Sequence, residues 1–138
     1  MRNLILFLGC IFALNVNADN KIPSKSEFDT IMFNAAKQMN AQMSGTKIDE
    51  FTNLKFVTYD LNPPLFSYFY TSTVFDLTKQ SSLNSEQVDA MKKFHITKTC
   101  SSQFKPLMKP YNFRVAHIFE DKPTGKVIYK LTVSHNDC

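Results

Sequence analysis

The sequence predicts an α+β domain: a four-stranded antiparallel sheet packed with helices, in the order αββααββ. Three observations carry that expectation. A broad apolar stripe at helical spacing comes first; two pairs of strand-like runs, each joined by a proline-containing turn, flank a helical middle; and two cysteines, Cys100 and Cys138, bracket the C-terminal part.

The chain opens with Arg2, an apolar run from Leu4 to Leu14, and Val16-Asn17-Ala18, which ends in a small residue. This is the pattern of a secretory signal peptide over 1–18, too short for a spanning helix. Cleavage after Ala18 leaves residues 19–138, a normal size for one domain. A rival reading takes Phe7-Leu8-Gly9 before Cys10 as a lipid-attachment box. The apolar run continues past Cys10 and little precedes it, which favours its removal with the signal.

From Ser24 to about Met43, Phe28, Ile31, Met32, Ala35, Ala36, Met39 and Met43 recur at three- and four-residue spacing. That is one face of a helix, with Ser24 or Ser26 as cap and Ser44-Gly45 as the stop. Leu54 to Tyr59 and Leu65 to Phe75 then read as a hairpin around Asn62-Pro63-Pro64, where neither proline can donate to a ladder. Phe66, Tyr68, Tyr70 and Val74 share one side of the second strand; Leu65 and Phe69 share the other. Aromatics on both sides leave two readings: both faces are covered within the monomer, or one is a partner surface.

Asn84 with Gln87 three residues on is a capping box for a helix ending near Lys98, its inner face made by Val88, Met91, Phe94 and His95. A shorter helix follows from Ser102 to about Lys109, with Pro106 in its first turn and Pro110-Tyr111-Asn112 as its stop. Phe113 to Glu120 and Lys126 to Ser134 form the second hairpin around residues 121–125, with Val127, Tyr129, Leu131 and Val133 on one side.

The formal charge of +4 falls to +3 once Arg2 leaves with the signal. That is too mild and too scattered for a nucleic-acid footprint. Export leaves Cys100 and Cys138 in an oxidising compartment, where an even count favours a disulfide between them. A zinc site with His95 and His135 would need thiolates, and the His-x4-Cys and His-x2-Cys spacings are not those of paired zinc motifs. No Gly-x-Ser-x-Gly elbow and no phosphate-cradling glycine loop occur among only three glycines. No catalytic residue, metal or cofactor is therefore expected, and the enzyme alternative reduces to a small hydrolase using His95 or His117.

Met39-Asn40-Ala41-Gln42-Met43, then Ile48-Asp49 with Thr52 and Leu54, and the run Tyr68-Phe69-Tyr70 resemble a family of small exported bacterial proteins classed as quorum-sensing-regulated virulence factors. The likeness continues through Cys100-Ser101, Leu107, Gly125 and Cys138. This chain departs from the family where Pro110-Tyr111-Asn112 replaces a glycine, and where His117 and Phe119 replace a tyrosine pair. The resemblance implies export, an α+β fold with a cysteine bridge, and no established enzymatic activity. A more distant likeness is to the small pilotins of secretion systems, which cradle a partner's peptide.

Taken together these readings lead to a periplasmic or secreted, monomeric, non-enzymatic domain without a transmembrane segment in its mature form. It would bind a protein or peptide in the envelope or outside the cell, and no nucleic acid, with Phe66, Tyr68 and Tyr70 as the partner-binding side chains. A lipid-anchored, pilotin-like assembly factor is the second alternative.

Overall fold

The computed structural model describes residues 22–73 and 83–138; the signal segment, Cys10 and Val74 lie outside them. Helix α1 spans Lys25–Met43. It starts where Ser24 and Glu27 exchange hydrogen bonds: Ser24 N donates to Glu27 Oε2 at 2.7 Å, and Glu27 N donates to Ser24 Oγ at 3.3 Å. The apolar stripe turns inward, burying Phe28, Met32, Ala35, Ala36, Met39 and Met43. Gly45, at φ +78°, takes a conformation that a side chain would strain. The chain hooks back there, and Gly45 N donates to Leu54 O at 2.7 Å.

Strands β1 (Thr52–Leu61) and β2 (Pro64–Ser72) pair antiparallel across Asn62 and Pro63, whose peptide bond is cis. Helix α2 follows at Ser85–Cys100, opened by the Asn84–Gln87 capping box. Helix α3 is short, Lys105–Tyr111, with Pro106 in its first turn. It runs through Pro110 and stops at Asn112, whose left-handed φ of 49° ends the helix. Strands β3 (Arg114–Asp121) and β4 (Val127–Val133) close the sheet, and a 3₁₀ turn, His135–Asp137, follows.

The element order is the expected one, but the sheet is mixed. Its strands lie in the order β1-β2-β3-β4, and β2 pairs with β3 in parallel. The reason lies in the lengths of the connecting helices. Sixteen residues of α2 return the chain about 24 Å along the sheet, and the seven residues of α3 cannot carry it back. The chain must therefore enter β3 from the end where β2 began, as in a βαβ crossover. An all-antiparallel sheet would need an even balance of crossings that these helices do not provide.

The register stacks three rows across the sheet under the helices, apolar and aromatic but for His117. These are Leu54-Tyr70-Phe119-Tyr129, Val57-Tyr68-His117-Leu131 and Tyr59-Phe66-Val115-Val133. A bulge between Leu54 and Phe56 shifts the alternation of β1, so Leu54, Val57 and Tyr59 all face inward. Around Phe28 the core is aromatic. Its ring stacks on Tyr111 at 4.0 Å and meets Phe113 edge-on at 5.4 Å. Tyr111 also donates its hydroxyl to the carbonyl of Pro23, tying the entry of α1 to the end of α3.

Candidate functional site

Phe66, Tyr68 and Tyr70, expected as partner-binding side chains, are packed against the core in this fold. β2 is an interior strand, and the side carrying these residues lies beneath the helices. Phe66 is 0% exposed and Tyr68 8%, while Tyr70 is half-buried against the same core. Their rings continue inward: Phe66 packs on Phe104 at 5.6 Å, and Tyr70 stacks on Phe119 at 4.6 Å. Burial pushes the phenols of both tyrosines far above the ordinary value. The aromatic surplus of this face is spent on packing.

Beneath α2 the same face carries a polar stack. His95 lies on His117, ring centres 4.4 Å apart, and His117 stacks on Tyr68 at 5.5 Å. Thr99 Oγ1 and His117 Nε2 are 3.1 Å apart; the Tyr70 hydroxyl lies 3.4 Å from Nδ1. One donor and one acceptor nitrogen of a neutral imidazole are thus both matched to a hydroxyl. Burial lowers His95 to about 4; burial and the neighbouring His95 lower His117 to about 3.

Thr99, His117 and Tyr70 are residue types used in nucleophilic catalysis, in a suggestive line. Thr99 is however 4% exposed and His117 7%, so the hydroxyl has no open approach for a substrate carbonyl. The inward positions of α2 are His95 and Thr99, one turn apart, and Phe94, expected on that side, is instead 56% exposed beside Lys98. His117 needs a hydroxyl there more than the sheet needs another ring. The arrangement holds α2 on the sheet.

Cys100 at the end of α2 is joined to Cys138 by a disulfide, at a sequence separation of 38. Both sulfurs are thereby used. Among the described residues no group of three or more His, Cys, Asp or Glu side chains could hold a metal ion.

The opposite face of the sheet differs in character. Among the described residues every helix packs on the first face, and the second has Phe56 stacked on Phe69 at 4.5 Å at its centre. Ile118 continues that row, Leu65 and Ala116 lie beside it, and a Lys55–Glu120 ion pair at 2.6 Å crosses above. Phe56, Leu65 and Phe69 are half-buried on this face, while Ile118 is 8% exposed and Ala116 is fully buried, so only the β1–β2 part of the row reaches solvent.

The outer edge of β1 is closed by two devices. Leu54 N donates to Thr46 O at 2.9 Å, Ile48 N donates to Thr52 O at 2.8 Å, and the Ser44 hydroxyl donates to Lys55 O at 2.6 Å. Further along, the Asn40 side chain acts as a surrogate strand. Its amide donates to Val57 O at 2.8 Å and accepts from Val57 N at 2.7 Å. Replacing Asn40 with alanine should lower stability by about 2 kcal/mol, although alanine is the better helix former. Urea unfolding measures the loss, and faster hydrogen exchange at the Val57 amide locates it.

No family model and no curated protein sequence matches the chain. Solved structures do. A Pseudomonas aeruginosa protein classed as secreted superposes with a TM-score of 0.65 at 12% identity, covering 86% of this chain and 99% of that one. EpsS, the pilotin of the Vibrio vulnificus type 2 secretion system, gives 0.61 at 10% identity, covering 83% and 94%. The type II secretion pilotin AspS of Vibrio cholerae gives 0.55 at 10%, with the same coverage. The chain shares its fold with all three. None is named as an enzyme. Likeness to the quorum-sensing-regulated family rests on the sequence residues alone. Among the described residues, no helix is long and apolar enough to cross a membrane.

Proposed function

We propose that this chain is an exported, non-catalytic domain that binds a protein or peptide partner, in the periplasm or outside the cell, in the service of secretion. The observation that carries the reading is the sheet face on which no described helix packs, with the Phe56–Phe69–Ile118 row at its centre. Half-exposed aromatics ringed by Lys55, Glu120 and Arg114 have the composition of an interaction patch, apolar inside and charged at the rim. The fold shared with two secretion pilotins and a secreted protein supports the same reading. So does the closure of the Thr99–His117–Tyr70 line, which leaves the hydrolase alternative without an approach. The signal peptide over 1–18, the monomeric state and membership of the quorum-sensing-regulated family belong to this proposal.

A photo-cross-linking residue at Phe56 or Thr58, in cells that export the protein, tests it. An adduct of defined mass is expected from either position and not from Lys37 on the exposed side of α1. No adduct, or the same adduct from all three, removes the reading. The pilotin likeness favours a second reading, a lipid-anchored assembly factor. Intact mass of the purified protein separates the two: the chain then begins at an acylated Cys10 rather than at Asp19.

A further inference from the structure

The two edges of the sheet are not alike. On β1 the outward groups of Thr52, Leu54, Lys55 and Val57 are matched by the 44–48 segment and by Asn40. On β4, beyond its ladder with β3, no hydrogen bond to a backbone group of Val127–Val133 occurs among the described residues. An uncovered edge is a template for another strand, and proteins ordinarily cover or blunt it. Among the described residues one edge is covered with care and the other is left.

We propose that the β4 edge accepts an extended, acidic strand of a different protein by strand addition. The inference rests on the protein-binding reading above and names the surface and the chemistry of its partner. β4 reads Val127-Ile-Tyr-Lys-Leu-Thr-Val133 and carries no acid; Lys130 is exposed at its middle, and Lys122 and Lys126 are exposed in the preceding turn. Val127, 57% exposed, and half-buried Ile128 offer apolar contact where the strand begins. Main-chain hydrogen bonds would give affinity, and the side chains beside them would give the choice of partner.

The lysine decides between occupants. A second copy of this chain pairing antiparallel through β4 about its centre would set Lys130 against the same lysine, and like charges directly opposite destabilise a ladder. A strand with a carboxylate at that position turns the repulsion into attraction. Lys130 then both discourages self-pairing and selects an acidic partner.

The test uses the ¹⁵N-labelled exported protein and three ten-residue peptides: alternating valine and glutamate, alternating valine and lysine, and the glutamate peptide with every amide N-methylated. The glutamate peptide should shift the amides of Val127–Val133 and slow their exchange; the other two should not. Lys130→Glu should weaken the glutamate peptide at least tenfold and admit the lysine peptide. The proposal is overturned by shifts centred on β1 or around Phe56 and Phe69, by no response at millimolar peptide, by an unchanged preference in Lys130→Glu, or by self-association through β4. Cross-links from Phe56 or Thr58 in the cell without a peptide response at β4 overturn the edge and leave the protein-binding reading standing. Absence of both removes both.

Discussion

Lowering the pH from 6.5 to 4.5 should cost this protein about 3 to 5 kcal/mol of stability, most of it through His95 and His117. Both imidazoles are held neutral, at about 4 and about 3, against an ordinary value of 6.5. Between those values the unfolded chain takes up protons that the folded chain refuses. A depressed folded pKa contributes stability that is whole above 6.5 and is lost as pH falls towards 3 to 4. Each histidine behaving this way contributes a slope of about 1.4 kcal/mol per pH unit. Because the unfolded imidazole is only half protonated at 6.5, His117 alone accounts for about 2 kcal/mol over the two units, and His95 adds less than the same again, because the stacked pair titrates together.

Urea unfolding at half-unit pH steps measures this directly. In His117→Phe the slope between pH 6.5 and 4.5 should fall by about half. The variant also starts less stable at pH 7 by about 1 kcal/mol, because Thr99 loses its imidazole partner. A slope that survives His117→Phe unchanged would mean that the stack is not what titrates.

What the sequence could reveal followed from local chemistry. The α1 stripe from Phe28 to Met43, the Ser24 and Asn84 caps and the two hairpin turns are all short-range signals, and each sits where its residues place it. The parallel pairing of β2 with β3 depends on how far α2 and α3 carry the chain, which no local pattern records. Nor does a pattern of two survive the bulge at Lys55, which puts Phe56 on the face away from the described helices and Val57 in the core. Aromatics on both sides of the strand make Tyr68 and Tyr70 read as surplus in the sequence. Only the sheet order reveals β2 as an interior strand with its tyrosines under the helices.

The features of the two sheet edges are fainter still. Asn40 is a poor helix former set beside an apolar stripe, a hint that its amide has a partner elsewhere. Nothing local says that the partner is Val57. The open β4 edge leaves no mark of its own in the sequence except Lys130, a charge in the middle of an otherwise apolar strand. Hydrophobicity ranks Phe94 above Thr99 for the inner side of α2, and carries no sign that His117, two elements away, meets the Thr99 hydroxyl.

Removing the disulfide should be the other large loss, about 4 kcal/mol. Cys100 and Cys138 close a loop across 38 positions that contains α3, β3 and β4, and in the chain-entropy account the bridge acts by restricting the unfolded chain. Its placement gives the loss a direction. Cys100 is the last residue of α2, whose inner side is held by His95 and Thr99. Without the bridge, that helix end and the 3₁₀ turn after β4 are free to separate, and Met108 loses the sulfur 3.9 Å away. Cys138→Ala should therefore lower the urea midpoint and speed exchange in α2 and β4 first, leaving the α1–β1 side protected to higher denaturant. It should also steepen acid unfolding, since protonation of the His95–His117 stack and loss of the bridge loosen the same helix. A variant as stable as the wild type, or one that loosens first around α1, would show that the bridge fastens something other than the α2 side of the sheet.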